Sequence, residues 1–216
     1  FIGFLPSRMH GAGSLTQYWA HGQNGFKLRG IEARQHSTCL WITSLQKNSL
    51  EILKDNLDNG SKYDSIAVQQ QIITMLHDEI SLLDSGEINP KDLVVTRRVT
   101  KRIQDFSVST NTQQALIRAR RLGQDILPGR KVRFVATKPS PGVPESRVVL
   151  LEELSENSRF KIDSDYYQNL AIRAIWAILG PFGWSDEEIR QGQKKYTLFD
   201  FFDAFNSKPS IDDSAY

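Results

Sequence analysis

The chain has 216 residues, 39% of them hydrophobic and 24% charged, and its 27 Lys and Arg against 25 Asp and Glu leave a formal net charge of +2. This is longer than one average domain, short of two full ones, and apolar enough to bury a core. No apolar run approaches the ~20 residues of a membrane helix, and a single cysteine, Cys39, excludes an internal disulfide or a cysteine-built zinc cluster.

The N-terminus, FIGFLPSR, has neither Met nor a charged region leading into an apolar stretch. It reads as no secretory signal and as the start of a piece of a longer polypeptide, with a cytoplasmic location and no membrane partner as the default. Residues 1–20, with Gly3, Gly11 and Gly13, are expected to be loop with short extended pieces. HGQNG at 21–25 is a turn signal, and Asn24-Gly25 favours a hairpin. FKLRGIEA at 26–33 alternates as a strand, with Gly30 marking a bulge or a close backbone approach. The period changes to helical over 37–57, where Trp41, Ile42, Leu45, Ile52 and Leu53 form a stripe closed by Asn59-Gly60. A second helix over 63–83 aligns Ile66, Ile73, Leu76, Ile80 and Leu83, with His77 on its outer side. The two predict an antiparallel helical hairpin whose stripes are core rather than a cofactor site.

Residues 93–99 are β-rich. A helix follows over 111–122, capped by Thr110 or Asn111 and stopped by Gly123. Pro128-Gly129 makes a turn, 131–137 alternates as a strand, KPSPGVP at 138–144 is a rigid extended loop, and 148–151 is a short strand. Asp163 or Ser164 opens an apolar helix that runs to Leu179 and ends at Gly180-Pro181, and SDEE starts a short helix over 185–190. Beyond Gln191 the composition is tail-like, and no internal repeat is present.

Charge is distributed unevenly along this order. Residues 94–133 hold ten Lys and Arg but only Asp105 and Asp125, a local net of +8, so the rest of the chain carries −6. Such a segment is either a solvated face or the footprint of a polyanion, most often a nucleic-acid backbone. On a strand, Arg97 and Val99 point one way and Arg98 and Thr100 the other, and Lys101 and Arg102 continue the two faces. Arg118 and Arg121 are i,i+3 neighbours on the helix, and Arg130, Lys131 and Arg133 add charge at the following turn. Phosphate contacts of this kind fix position without reading bases, which predicts salt-sensitive, sequence-independent binding. Only Phe106 and Phe134 interleave the cations, which disfavours a single-strand stacking platform.

Asp163 and Asp165 have the proximity of a metal pair, but their place before a helix reads as capping. His10, His21, His36 and His77 show no ligand spacing, and no nucleophile motif, phosphate loop or dinucleotide fingerprint appears. No catalytic residue, metal ligand or cofactor is therefore assigned within the chain.

Five segments, in order over 24–190, resemble the C-terminal part of archaeal family B DNA polymerases. They are FKLRGIEARQ, the helix with LQKNSLEIL, GEINPKDLVVTRRVTKRIQDF, LPGRKVRFVAT and IDSDYYQNLAIRAIWAILGPFG. The resemblance implies an α+β fold: a palm-derived hairpin and loop at 1–36, a mainly helical thumb with a long helical hairpin and a small β element at 37–190, and a flexible tail at 191–216. It implies that Thr100 and Lys101 contact the duplex backbone and that Arg29 to Glu32 lie near the primer strand. The DNA-binding set is then Arg29, Arg34, Arg97, Arg98, Thr100, Lys101, Arg102, Arg118, Arg121, Arg130 and Lys131. The family's catalytic carboxylates, with their Mg²⁺, lie upstream, and the YxDTD-type motif is absent here.

In the tail, TLFDFF at 197–202 resembles a sliding-clamp-binding motif through Leu198, Phe201 and Phe202, with Lys195 where a Gln usually leads. The expected function is the duplex-gripping thumb of a DNA-directed DNA polymerase, partnered by primer–template DNA, the N-terminal catalytic part and a sliding clamp. The alternative is a non-catalytic nucleic-acid-binding module, or degenerate polymerase remnant, that recruits the clamp.

Overall fold

The computed structural model describes residues 2–6, 13–22, 25–58, 65–154 and 160–194. The first three strands, β1 (Ile2–Pro6), β2 (Gly13–Gly22) and β3 (Gly25–Arg29), form an antiparallel sheet in the order β1-β2-β3. The expected hairpin closes with Gly22 opposite Gly25, while Asn24 lies outside the described residues. β2 runs ten residues where only short extended pieces were expected. Its strand character comes from pairing on both sides, which a Gly-diluted, weakly alternating sequence does not display. β3 stops four residues earlier than the strand expected over 26–33, because Gly30 adopts φ 68° and turns the chain out of the sheet into a short 3-10 helix, Glu32–Arg34. Trp19, fully buried, lies 6.3 Å from the Phe26 ring edge-on and 6.1 Å from Phe182, fastening this sheet to the C-terminal half.

Helices α1 (Leu40–Asp58) and α2 (Ser65–Ser85) form as the apolar stripes require. Trp41 Nε1 donates to Glu79 at 2.9 Å, placing the start of α1 beside the end of α2, so the pair runs antiparallel as expected. It is not a closed hairpin. α4 (Ser164–Leu179) packs on both helices, and its buried Ala171, Ala174 and Ala177 allow a close approach. Two expectations on α2 are corrected. Ile66 is 59% exposed, because the first turn overhangs the packed layer and Val68 and Ile72 fill the seam instead. His77 does not face outward: its Nε2 lies 3.0 Å from the Ile189 carbonyl of α5 (Asp186–Gln191). Asp163 Oδ1 accepts the Tyr166 N–H at 3.1 Å and so caps α4, and Ser185 with Glu188 forms the capping box of α5.

Between α2 and α4 the chain builds the second sheet, β4 (Val95–Arg98), β5 (Lys131–Ala136) and β6 (Val148–Leu150), antiparallel in that order, with α3 (Asn111–Arg121) against β5 and β6. β4 starts later than expected because Pro90–Leu93 forms a 3-10 helix capped by Asn89, whose side chain accepts the Lys91 N–H at 3.0 Å. The 138–144 loop is not extended but folds back through a Ser140–Val143 bridge into the 3-10 helix Pro144–Arg147. The Tyr167 hydroxyl joins this sheet to the helices, donating to the Leu93 carbonyl at 2.7 Å and accepting the Ala136 N–H at 2.9 Å. Among the described residues no helix is long and apolar enough to cross a membrane.

Burial pushes the Cys39 thiol up from its ordinary 9.0 to about 11. The unfolded thiol ionises first, so this contribution to stability is intact below pH 9 and is lost as the pH rises toward 11. Chemical denaturation across that range will show a fall in stability beginning near pH 9, and Cys39→Ala will remove that early part of the fall.

Candidate nucleic-acid interface

β4 and β5 pair in the register Val95–Phe134, Arg97–Val132 and Arg98–Lys131. The pleat alternates side chains, burying Val95 and Val99 with a half-buried Arg97 between them and leaving Arg98 exposed. The pairing continues past the strand end. Gly129 adopts φ 91° in the turn, its N–H donates to the Val99 carbonyl at 2.8 Å, and the Val99 N–H donates to the Arg130 carbonyl at 2.8 Å. The chain therefore leaves β4 along the mouth of the β5 turn, which places Thr100, Lys101 and Arg102 beside Arg130 and Lys131. With Arg98, these five cations and one hydroxyl are all exposed. None of the five makes an ion pair with another described residue. The nearest acid in sequence, Asp105, accepts the Arg102 backbone N–H at 3.2 Å in a local turn.

The helical arginines have a different environment. Thr110 caps α3 by accepting the Gln113 N–H at 3.2 Å, and the helix buries Gln114, Ala115, Leu116 and Ala119. Arg118 makes a two-pronged pair with Glu153, at 2.6 Å from Nε and 2.8 Å from Nη2. Arg121 pairs with Glu145, Arg120 with Asp125 at 3.2 Å, and Arg133 with Glu152 at 3.6 Å. Three of these acids, Glu145, Glu152 and Glu153, come from just beyond the basic segment and fold back onto it. Burial would raise the Glu153 carboxyl, but the Arg118 bonds and the Leu150 N–H outweigh this and hold it below its ordinary 4.5. Of the expected set, Arg118 and Arg121 thus serve as internal partners, while Arg98, Thr100, Lys101, Arg102, Arg130 and Lys131 converge on one edge.

The remaining predicted residues lie elsewhere. Arg97 is half-buried, and its charge lies close to Tyr166. Arg29 ends β3 opposite Tyr18, and Arg34 ends the following 3-10 helix, both exposed and both in the first structural unit. Leu198, Phe201 and Phe202 lie outside the described residues. Sequence reading missed the neutralising role of Glu145, Glu152 and Glu153. For Glu152 and Glu153 the signal was the acid-rich LLEEL at 150–154, beyond the window that defined the basic segment; Glu145, a single acid before β6, gave none.

The cluster can hold an anion through point charges at a solvent-open edge, but it contains no imidazole or free carboxylate to move a proton. Among the described residues, no group of three or more His, Cys, Asp and Glu is placed to hold a metal ion. Arg118→Ala is expected to lower stability by about 2 kcal/mol, since it removes the two charge-assisted bonds to the half-buried Glu153 carboxylate. The same variant should leave the salt dependence of polyanion binding unchanged; thermal melting and a salt titration check the two halves of this expectation.

No family model matches the sequence. The chain is 24% identical over 173 residues to a DNA polymerase of Thermococcus litoralis, covering 80% of this chain and 10% of that protein. It is 21% identical over 188 residues to a DNA polymerase of Archaeoglobus fulgidus, covering 81% and 23%. The chain thus spans between about a tenth and a quarter of the length of these curated relatives. In fold it is similar to the family B DNA polymerase from the hyperthermophilic archaeon Pyrobaculum calidifontis, with a TM-score of 0.59 at 18% identity over 77% of this chain and 20% of that one. Over about four fifths of its length, then, the chain is similar to archaeal DNA polymerases, and it has the fold of the matching stretch of a family B enzyme.

Proposed function

We propose that the chain is the duplex-holding, thumb-like portion of a DNA polymerase, gripping primer–template DNA by its phosphates while carboxylates outside these 216 residues carry out nucleotidyl transfer with Mg²⁺. The observation that carries this reading is the edge cluster of Arg98, Lys101, Arg102, Arg130 and Lys131, exposed and without acidic partners among the described residues. Its place in the chain, within the segment that resembles the polymerase thumb, supplies the partner. Backbone cations without interleaved aromatics favour a duplex over an unstacked strand.

The proposed polymerase activity belongs to the larger assembly. The isolated chain should bind a 30-base-pair duplex about tenfold more tightly than a single strand of the same length and should extend no primer. Equal binding to both forms, measured by fluorescence anisotropy, would contradict the duplex reading. The tail supplies the second partner: Leu198, Phe201 and Phe202 have the spacing to plug one apolar pocket of a sliding clamp. Removing residues 195–216 should then abolish clamp binding and leave duplex binding intact.

A further inference from the structure

A cavity of about 220 Å³ opens where the first 3-10 helix, the start of α1, β4 and α4 meet. Two guanidinium side chains from different elements line it, Arg97 of β4 and Arg173 of α4, together with the residues Ser37 and Thr38. Tyr166, Leu170 and Arg173 follow one another at i, i+4 and i+7 on α4, and Leu170 and Arg173 share the cavity wall with Val95 and Arg97 of β4. The Thr96 N–H, donating to the Ser37 carbonyl at 3.4 Å, ties the strand to the opposite wall. The one carboxylate on the cavity wall, Glu32, already accepts the amide of buried Gln46 at 2.7 Å. Arg173 makes no ion pair with another described residue. The wall therefore carries two arginines and one engaged carboxylate, with Ser37 and Thr38 alongside.

An arginine fork in a concave site suits a phosphate better than a diffuse surface charge does. The position is also informative. Arg97 precedes Lys101 by four residues of nearly extended chain, roughly 13 Å, so the cavity continues the edge cluster toward Arg34 and Arg29. We infer that this seam is a phosphate subsite that takes a backbone phosphate of the same nucleic-acid strand held by the edge cluster. The inference rests on the duplex-binding reading and extends the grip from the second sheet to the first.

The test is the salt dependence of duplex affinity for the full chain and two variants, Arg173→Ala and Lys101→Ala, with melting curves confirming that each remains folded. Each substitution should cost about eightfold in affinity at ~0.1 M salt and reduce the log–log salt slope by about 0.9. Inorganic phosphate, followed by NMR, should shift the Thr38 and Arg97 amides saturably, and Arg173→Ala should remove that response. If Lys101→Ala lowers the slope and Arg173→Ala does not, the seam subsite is wrong and the duplex reading stands. If Arg173→Ala alone lowers it, the edge cluster fails and with it the shared strand, which overturns the inference as stated. An unchanged duplex slope with phosphate still saturating at Thr38 would assign the cavity to free phosphate and overturn the inference.

Discussion

The double variant Lys101→Ala/Arg130→Ala is expected to bind duplex DNA roughly 60-fold more weakly than the unaltered chain at ~0.1 M salt, and the difference should vanish near ~1 M. The magnitude follows from counterion release. Each phosphate neutralised contributes about 0.9 to the salt slope, and thus about 0.9 of a decade in affinity at ~0.1 M. Lys101 and Arg130 suit the test because both are exposed, both flank the turn closed by the Val99–Arg130 and Gly129–Val99 hydrogen bonds, and neither has an acidic partner among the described residues. Their removal leaves no buried group unsatisfied, so the fold should be unaffected. The contrast with α3 is the control. Arg118, equally basic in sequence, is bound to Glu153, and its loss should change stability rather than the salt slope. A double variant that binds as tightly as the parent would remove the edge cluster from the interface.

The second large effect concerns the junction of the two units. Gln46 on α1 is fully buried. Its Oε1 accepts the Ala33 N–H at 2.6 Å, and its Nε2 donates to the Ala174 carbonyl at 2.8 Å and to Glu32 Oε2 at 2.7 Å. One amide thereby binds the first 3-10 helix to α1 and α4, across the loop where the boundary at 36–37 was expected. Gln46→Leu keeps the volume and removes all three bonds, leaving an N–H, a carbonyl and a carboxylate facing an apolar side chain. At 1–3 kcal/mol for each stranded group, partly relieved by water reaching Glu32, the loss should be roughly 4 kcal/mol in urea denaturation. Against a total stability of about 5–15 kcal/mol, that is a large share. A cost below about 1 kcal/mol would mean that the first sheet is held chiefly by Trp19 and its ring contacts.

Much of this architecture was legible in the sequence because its signals are local. Thr110, Asp163 and Ser185 cap the helices they precede, and the stripes of α1 and α2 name most of the residues that pack. The turn at Pro128-Gly129 and the strand after it are local features of the same kind. What the sequence concealed depends on distant partners. β2 gains its length from neighbours on both sides, and Ile66 is solvated because its turn reaches past the packed layer. Arg118 meets Glu153 across 35 residues of chain. A charge count over 94–133 gives ten cations equal weight, whereas the fold divides them into an internally paired group around α3, a half-buried Arg97 and five open cations at one edge.

That division yields a slope as well as an affinity. The most direct test of the central claim is the salt titration of the unaltered chain on two duplexes of unrelated sequence. Five open cations predict a log–log slope of about −4.5, or about −5.4 if the seam also takes a phosphate, with equal affinities for both sequences. A slope shallower than about −1, or a strong preference for one sequence, would contradict a phosphate grip on duplex DNA.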